Sequence, residues 1–134
     1  MNVNELMLGD YIYAQDREGG NEEGEIDIVE YPIQVESIYG DTLLDDYGCE
    51  RGEGDFAGIP LTSAILEKNF EKKTLYGIFD DYFDLEIREY SDGIYIVTYH
   101  SCEVNVPDEQ MVLSYVHELQ HFLRHCRIDK NIVL

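Results

Sequence analysis

The residues best suited to chemistry lie close together in Ser114-Tyr115-Val116-His117-Glu118-Leu119-Gln120-His121-Phe122-Leu123-Arg124-His125-Cys126. Within this stretch, His117-Glu118-x-x-His121 sets two imidazoles one helical turn apart with a carboxylate between them. In zinc peptidases the two histidines of that pattern bind the metal, and the glutamate is general base for the metal-bound water. A working site also needs a third protein ligand and an open position for water. The extended form of the motif carries a glycine and then a third histidine at the positions filled here by Arg124 and Arg127. No glutamate follows His121, and Asp129 is the only later carboxylate. His125 lies one turn further on, but three ligands along one straight helix span about 11 Å, too far to converge on an ion.

The element that carries these residues is an amphipathic helix. At about 100° per residue, Tyr115, Val116, Leu119, Phe122, Leu123 and Cys126 share one broad face. That face is the expected core seam, with His117, His121 and Arg124 nearly opposite and Glu118 and His125 to one side. The histidines are therefore expected to point outward. Arg124 shares their face with a fixed charge that opposes a dication. The expectation is a polar face on which Glu118, His121, Arg124 and His125 pair across helical turns. The start of the helix is placed at Ser114, after an extended Met111-Val112-Leu113.

Composition narrows the classes of partner. Nine Lys and Arg stand against 29 Asp and Glu, a formal charge of −20. Self-repulsion of that size favours solubility and argues against an anionic membrane or nucleic acid as direct partner. It leaves open a decoy that competes with DNA for a basic protein. The start of the chain has no signal-peptide pattern, and no apolar run reaches the roughly 20 residues of a membrane helix, so a cytoplasmic protein is expected. Cys49, Cys102 and Cys126 form no Cys-x-x-Cys pair and are expected to be one or two buried small hydrophobes.

With 134 residues the chain is read as a single α+β domain (1–134), with two halves meeting near Pro60-Leu61. Tyr11-Ile12-Tyr13-Ala14, Ile26-Asp27-Ile28-Val29-Glu30, Ile33-Gln34-Val35-Glu36-Ser37-Ile38 and Thr42-Leu43-Leu44 read as short strands of an antiparallel meander or small barrel. Pro32 marks an edge or a break. Residues 16–25, with three Gly, one Asn and four Glu, read as a flexible acidic loop. Residues 45–58 read as a second, solvated one: they lack the ordered ligand spacing of a calcium loop, and Arg51 sits in their middle. A short helix over residues 62–69 follows, capped by Thr62 or Ser63. The strands Leu75-Tyr76-Gly77-Ile78-Phe79, residues 82–90 and 94–99 come next, the last two joined at Ser91-Asp92-Gly93. His100-Ser101-Cys102 is no nucleophile–base set, because strand neighbours point to opposite faces.

Three blocks carry a resemblance: Leu6-x-Leu8-Gly9-Asp10-Tyr11-Ile12, Ile59-Pro60-Leu61-Thr62, and Tyr115-Val116-His117-Glu118-Leu119-Gln120-His121. They resemble an uncharacterised group of small proteins from gut Bacteroidetes and their phages and mobile elements. The resemblance implies an origin and an architecture, and no activity. The group's closing block resembles Val-His-Gln-Leu-Gln-Asn as often as Val-His-Glu-Leu-Gln-His, which sets Glu118 and His121 apart from essential catalytic residues. Arg127 stands where relatives tend to have glycine, which implies a helix end without a glycine cap.

These observations favour a small acidic accessory protein that binds another protein, a basic or host protein, without an enzyme activity or cofactor. A zinc hydrolase using His117 and His121 as ligands and Glu118 as base is the alternative. A DNA-mimicking decoy is a further one.

Overall fold

The computed structural model describes residues 1–18 and 27–134. Most of the acidic loop expected over residues 16–25 lies outside them. The chain divides into two compact units, Met1–Ile59 and Pro60–Leu134. The fold is α+β, built on two antiparallel five-stranded sheets, and it is not a closed barrel.

The first unit opens with a 3-10 turn, Val3–Glu5, followed by β1 (Tyr11–Glu18), β2 (Asp27–Tyr39), β3 (Thr42–Asp45), β4 (Glu50–Arg51) and β5 (Phe56–Gly58). The strand order is β4-β3-β2-β1-β5: a meander of four strands, then a return that lays β5 beside β1. Alternation decides which side is core. Ile12 and Ala14 of β1, Ile33 and Val35 of β2, Leu43 of β3 and Phe56 of β5 are buried in one cluster with Val3 and Leu6. Removing a side chain of this size from water stabilises the fold by about 1.5–3 kcal/mol.

Pro32 does not end its strand. It sits opposite Tyr13 of β1, while the pairing of β2 with β3 begins only at Val35. At Pro32 the strand therefore has a single neighbour, and a residue with no N–H is tolerated there.

The second expected loop is also corrected. It contains β4 and β5, and Arg51 is buried at 5% exposure. The period of two explains why. Asp45 faces inward with Leu43, Arg51 pairs with Leu43, and Asp16 and Tyr31 continue the inward rows of Ile12 and Ile33. Four polar side chains thus meet at one end of the core face. Arg51 donates from Nε to Asp45 Oδ2 (2.7 Å), from Nη1 to Asp16 Oδ1 (2.8 Å) and from Nη2 to the Tyr31 hydroxyl (2.6 Å). Tyr31 in turn donates to Asp16 Oδ2 (2.7 Å). The fully buried Asp45 is completed by the Tyr47 and Cys49 N–H groups, both 2.9 Å from Oδ1. Burial disfavours the Arg51 charge, but the hydrogen bonds it donates to Asp16 and Asp45 outweigh it and raise its pKa. The same contact to Arg51 holds the Asp16 carboxyl below its ordinary value.

The second unit comprises α1 (Ser63–Asn69), β6 (Glu71–Lys72), β7 (Tyr76–Phe79), β8 (Phe83–Ser91), β9 (Ile94–Ser101), β10 (Glu109–Leu113) and α2 (Val116–His125). Its sheet is a plain meander, β10-β9-β8-β7-β6. Thr62 caps α1, its hydroxyl accepting the Ile65 N–H at 3.3 Å. Leu85 and Ile87 of β8, Tyr95 and Val97 of β9, and Leu113 of β10 all face inward, and α2 packs on this sheet with Val116, Leu119, Phe122 and Leu123 buried. At Gly77 the β7 backbone runs so close to β8 that an added Cβ would sit 1.9 Å from the Leu85 carbonyl oxygen.

Candidate functional site

Helix α2 begins one residue later than the sequence suggests, with Tyr115 as N-cap. Tyr115 makes no side-chain cap hydrogen bond of the usual short kind, and the third helical residue supplies an acceptor oxygen. Glu118 Oε1 accepts the Ser114 N–H at 2.9 Å and the Tyr115 N–H at 3.0 Å. A carboxylate at this position satisfies donors that the helix leaves open and lies at the positive end of its dipole. The residue that would be the general base is thus held against the backbone at its own helix start.

Two of the three histidines of α2 depart from the expected outward face, and His125 keeps to it. His117 is buried at 4% exposure, His121 is half-buried, and His125 is exposed. The buried positions, from Phe122 round to His117, cover an arc of about 220° at 100° per residue, wider than the apolar stripe alone. Gln120 and His117 fill the added part of the arc. A wheel counts apolar residues, so it cannot show that a polar one is buried. His117 stacks on Tyr115 with ring centroids 5.7 Å apart and meets His121 edge-on at 5.6 Å.

Two contacts of α2 run away from the polar face of the helix. Glu118 turns to the backbone, and His125 Nε2 lies 3.7 Å from Glu109 Oε2 on β10. His117 and His121 are the two residues that could offer nitrogen to a metal. Among the described residues, no group of three or more His, Cys, Asp or Glu is placed to hold one ion.

The helix closes without glycine, and Arg127 adopts the left-handed conformation itself, at φ 58°. The Arg127 N–H donates to Arg124 O at 3.0 Å and the Ile128 N–H to Leu123 O at 2.8 Å, the paired bonds of a Schellman ending. Beyond it the chain is held by Asn69, the last residue of α1. Its amide donates to Val133 O (2.7 Å) and accepts the Val133 N–H (2.6 Å). In the sequence Asn69 is only a plausible helix-end residue; its clamp on a segment 64 positions away has no local sign.

The blocks behind the resemblance have backbone roles. Gly9 has φ 87°, and Asp10 Oδ2 accepts the Met7 N–H at 2.8 Å, closing the turn before β1. In the second unit the Leu61 N–H donates to Ser114 O at 2.9 Å, and Pro60 forms a bridge with Tyr115. The central and closing blocks therefore pair with each other.

A cavity of about 370 Å³ opens where α2 ends, lined among others by Tyr82, Phe83, Tyr99, Glu103, Glu109 and Cys126. Its origin is a mismatch of lengths. A ten-residue helix spans about 15 Å, whereas a nine-residue strand such as β8 spans about 30 Å. The helix therefore cannot cover the end of the sheet where Phe83 and Tyr99 lie. Burial, with the nearby Glu109 charge adding to it, pushes the Cys126 thiol up to about 11, so it stays protonated at neutral pH and is a poor nucleophile. Cys49 and Cys102 are exposed, contrary to the buried role expected for the cysteines.

No family model, no curated protein and no solved structure matches this chain. No helix among the described residues is long and apolar enough to cross a membrane. The functional reading rests on the site itself.

Proposed function

We propose that this chain is a non-enzymatic, acidic accessory protein that acts in the cytoplasm by binding a basic or host protein. By its resemblance, we place its origin in a phage or mobile element of gut Bacteroidetes. The observation that carries the non-enzymatic part is the double hydrogen bond at Glu118 Oε1, a structural task for the one carboxylate of the motif. The net charge of −20 supports a basic partner and disfavours direct contact with phosphate backbones or anionic lipid. A decoy that mimics DNA is the narrower form of this reading.

The proximity of the His117 and His121 rings favours a second reading, a zinc hydrolase with Glu118 as base. Glu118→Gln separates the two, because the amide oxygen can still accept the capping N–H groups while the base is lost. Under the first reading, protein purified without an affinity tag carries zinc well below one equivalent, and Glu118→Gln changes no hydrolysis of a general peptide substrate. One tightly held zinc per chain, with hydrolysis abolished in Glu118→Gln, would overturn it.

A further inference from the structure

We propose that the cavity beyond the end of α2 receives an arginine side chain presented by an extended segment of a partner protein. The inference rests on the protein-binding reading above and gives it a place and a chemistry. Tyr82, Phe83 and Tyr99 supply aromatic walls, the last two with ring centroids 5.6 Å apart and planes tilted by 32°. A guanidinium stacks on such faces while its edge donors remain free for carboxylates. Glu103 and Glu109 line the same cavity and offer those carboxylates. The Glu109 carboxylate is only loosely engaged, because His125 stands 3.7 Å away, beyond a hydrogen bond. The negative end of the α2 dipole also lies here and favours a cation. Arg127 lines the wall shared with a neighbouring cavity, where Asp80, Asp129 and Lys130 accompany it, and its exposure to solvent weakens its opposition.

The sheet edge beside the cavity argues for a protein segment over a free small cation. Edge strands invite pairing, and folds commonly blunt them by keeping them short. The edges β4, β5 and β6 have two, three and two residues. The β10 edge has five, with Met111 and Val112 exposed, and it starts at Glu109. A strand added along β10 would bring its side chains level with Glu109 and the cavity mouth. A second copy of the chain is a poor occupant, since it brings another −20.

The test is a titration of the isotope-labelled full chain, followed by NMR, with acetyl-Val-Arg-Val-amide, the same peptide carrying citrulline, and spermidine. Saturable shifts with the arginine peptide are expected at Tyr82, Phe83, Tyr99, Glu103 and Glu109. Citrulline should weaken binding by about tenfold or more, the factor set by losing one charge-assisted hydrogen bond, and the Glu103→Gln/Glu109→Gln double variant, which neutralises two carboxylates, should weaken it further. The exposed Tyr82→Ala gives an independent loss of affinity that leaves the core untouched. Absence of saturable shifts at these residues, equal binding of citrulline, tighter binding of spermidine than of the peptide, or unchanged affinity in the variants overturns the proposal. None of these outcomes depends on zinc or on Glu118, so this inference can fail while the non-enzymatic reading stands.

Discussion

The two units use their most conspicuous polar residues in opposite ways. In the first, Arg51 stands in a glycine-rich acidic stretch that suggests solvent, yet it is buried and bonded to Asp16, Tyr31 and Asp45 from three other strands. In the second, His117-Glu118-x-x-His121 suggests chemistry, yet Glu118 serves the start of its own helix. The lesson is that the role of a charged side chain follows from which donors and acceptors the fold brings within reach. Arg51 is held by long-range partners, Glu118 by residues three and four positions away.

That contrast predicts unequal consequences. Arg51→Ala leaves the fully buried Asp45 without its cation and should destabilise by about 3 kcal/mol or more. Chemical denaturation should show the loss, and amide exchange should place it in β1 to β4. A variant that unfolds within 1 kcal/mol of the parent, roughly the value of a surface pair, would remove the distinction between the two units. Glu118→Ala strips the cap from α2 and should cost about 1–2 kcal/mol, with faster exchange at the N–H groups of Ser114 and Tyr115. Arg127→Gly should act in the other direction. It relieves a left-handed non-glycine residue and should stabilise by about 1 kcal/mol, read as a higher melting temperature.

The smallest expected effects are in pH dependence, and they run in opposite directions in the two units. The Asp16 pKa is lowered in the folded state, chiefly by the Arg51 hydrogen bond. Its contribution is present above the unfolded value of about 4 and is lost as pH falls through the lower folded value. In the second unit, His100 Nδ1 donates to Asp108 Oδ1 at 2.5 Å, and that bond raises the histidine pKa. Its contribution is complete below the unfolded value of about 6.5 and is lost as pH rises through the raised folded value. NMR titration should find the His100 midpoint raised from the ordinary histidine value and back towards it in Asp108→Asn. A His100 midpoint that does not move in that variant would show that the nearby Asp84 and Glu86 charges, not Asp108, set it.

Much of the second sheet is legible in the sequence. Alternation over residues 82–90 and 94–99, with Gly93 at the turn, marks a hairpin because period-two patterning and turn chemistry are local properties. The cap at Thr62 was legible for the same reason. Two-residue strands such as β4 are too short to show a period, so a loop composition hid them. The helix wheel found Leu119, Phe122 and Leu123 but missed His117, since hydrophobicity does not register a polar side chain that becomes buried.

By itself, the sequence determined what depends on neighbours along the chain: the α+β class, most strands, both helices and the large negative charge. Tertiary structure alone decided what depends on residues far apart. It buried Arg51 between three strands, closed Asn69 on Val133, and left a cavity where a ten-residue helix is shorter than the sheet beneath it. The physical reason is the range of the interactions. Periodicity, turns and caps act over a few residues, whereas partners for a buried charge are chosen only when strands 20 to 35 positions apart are brought together.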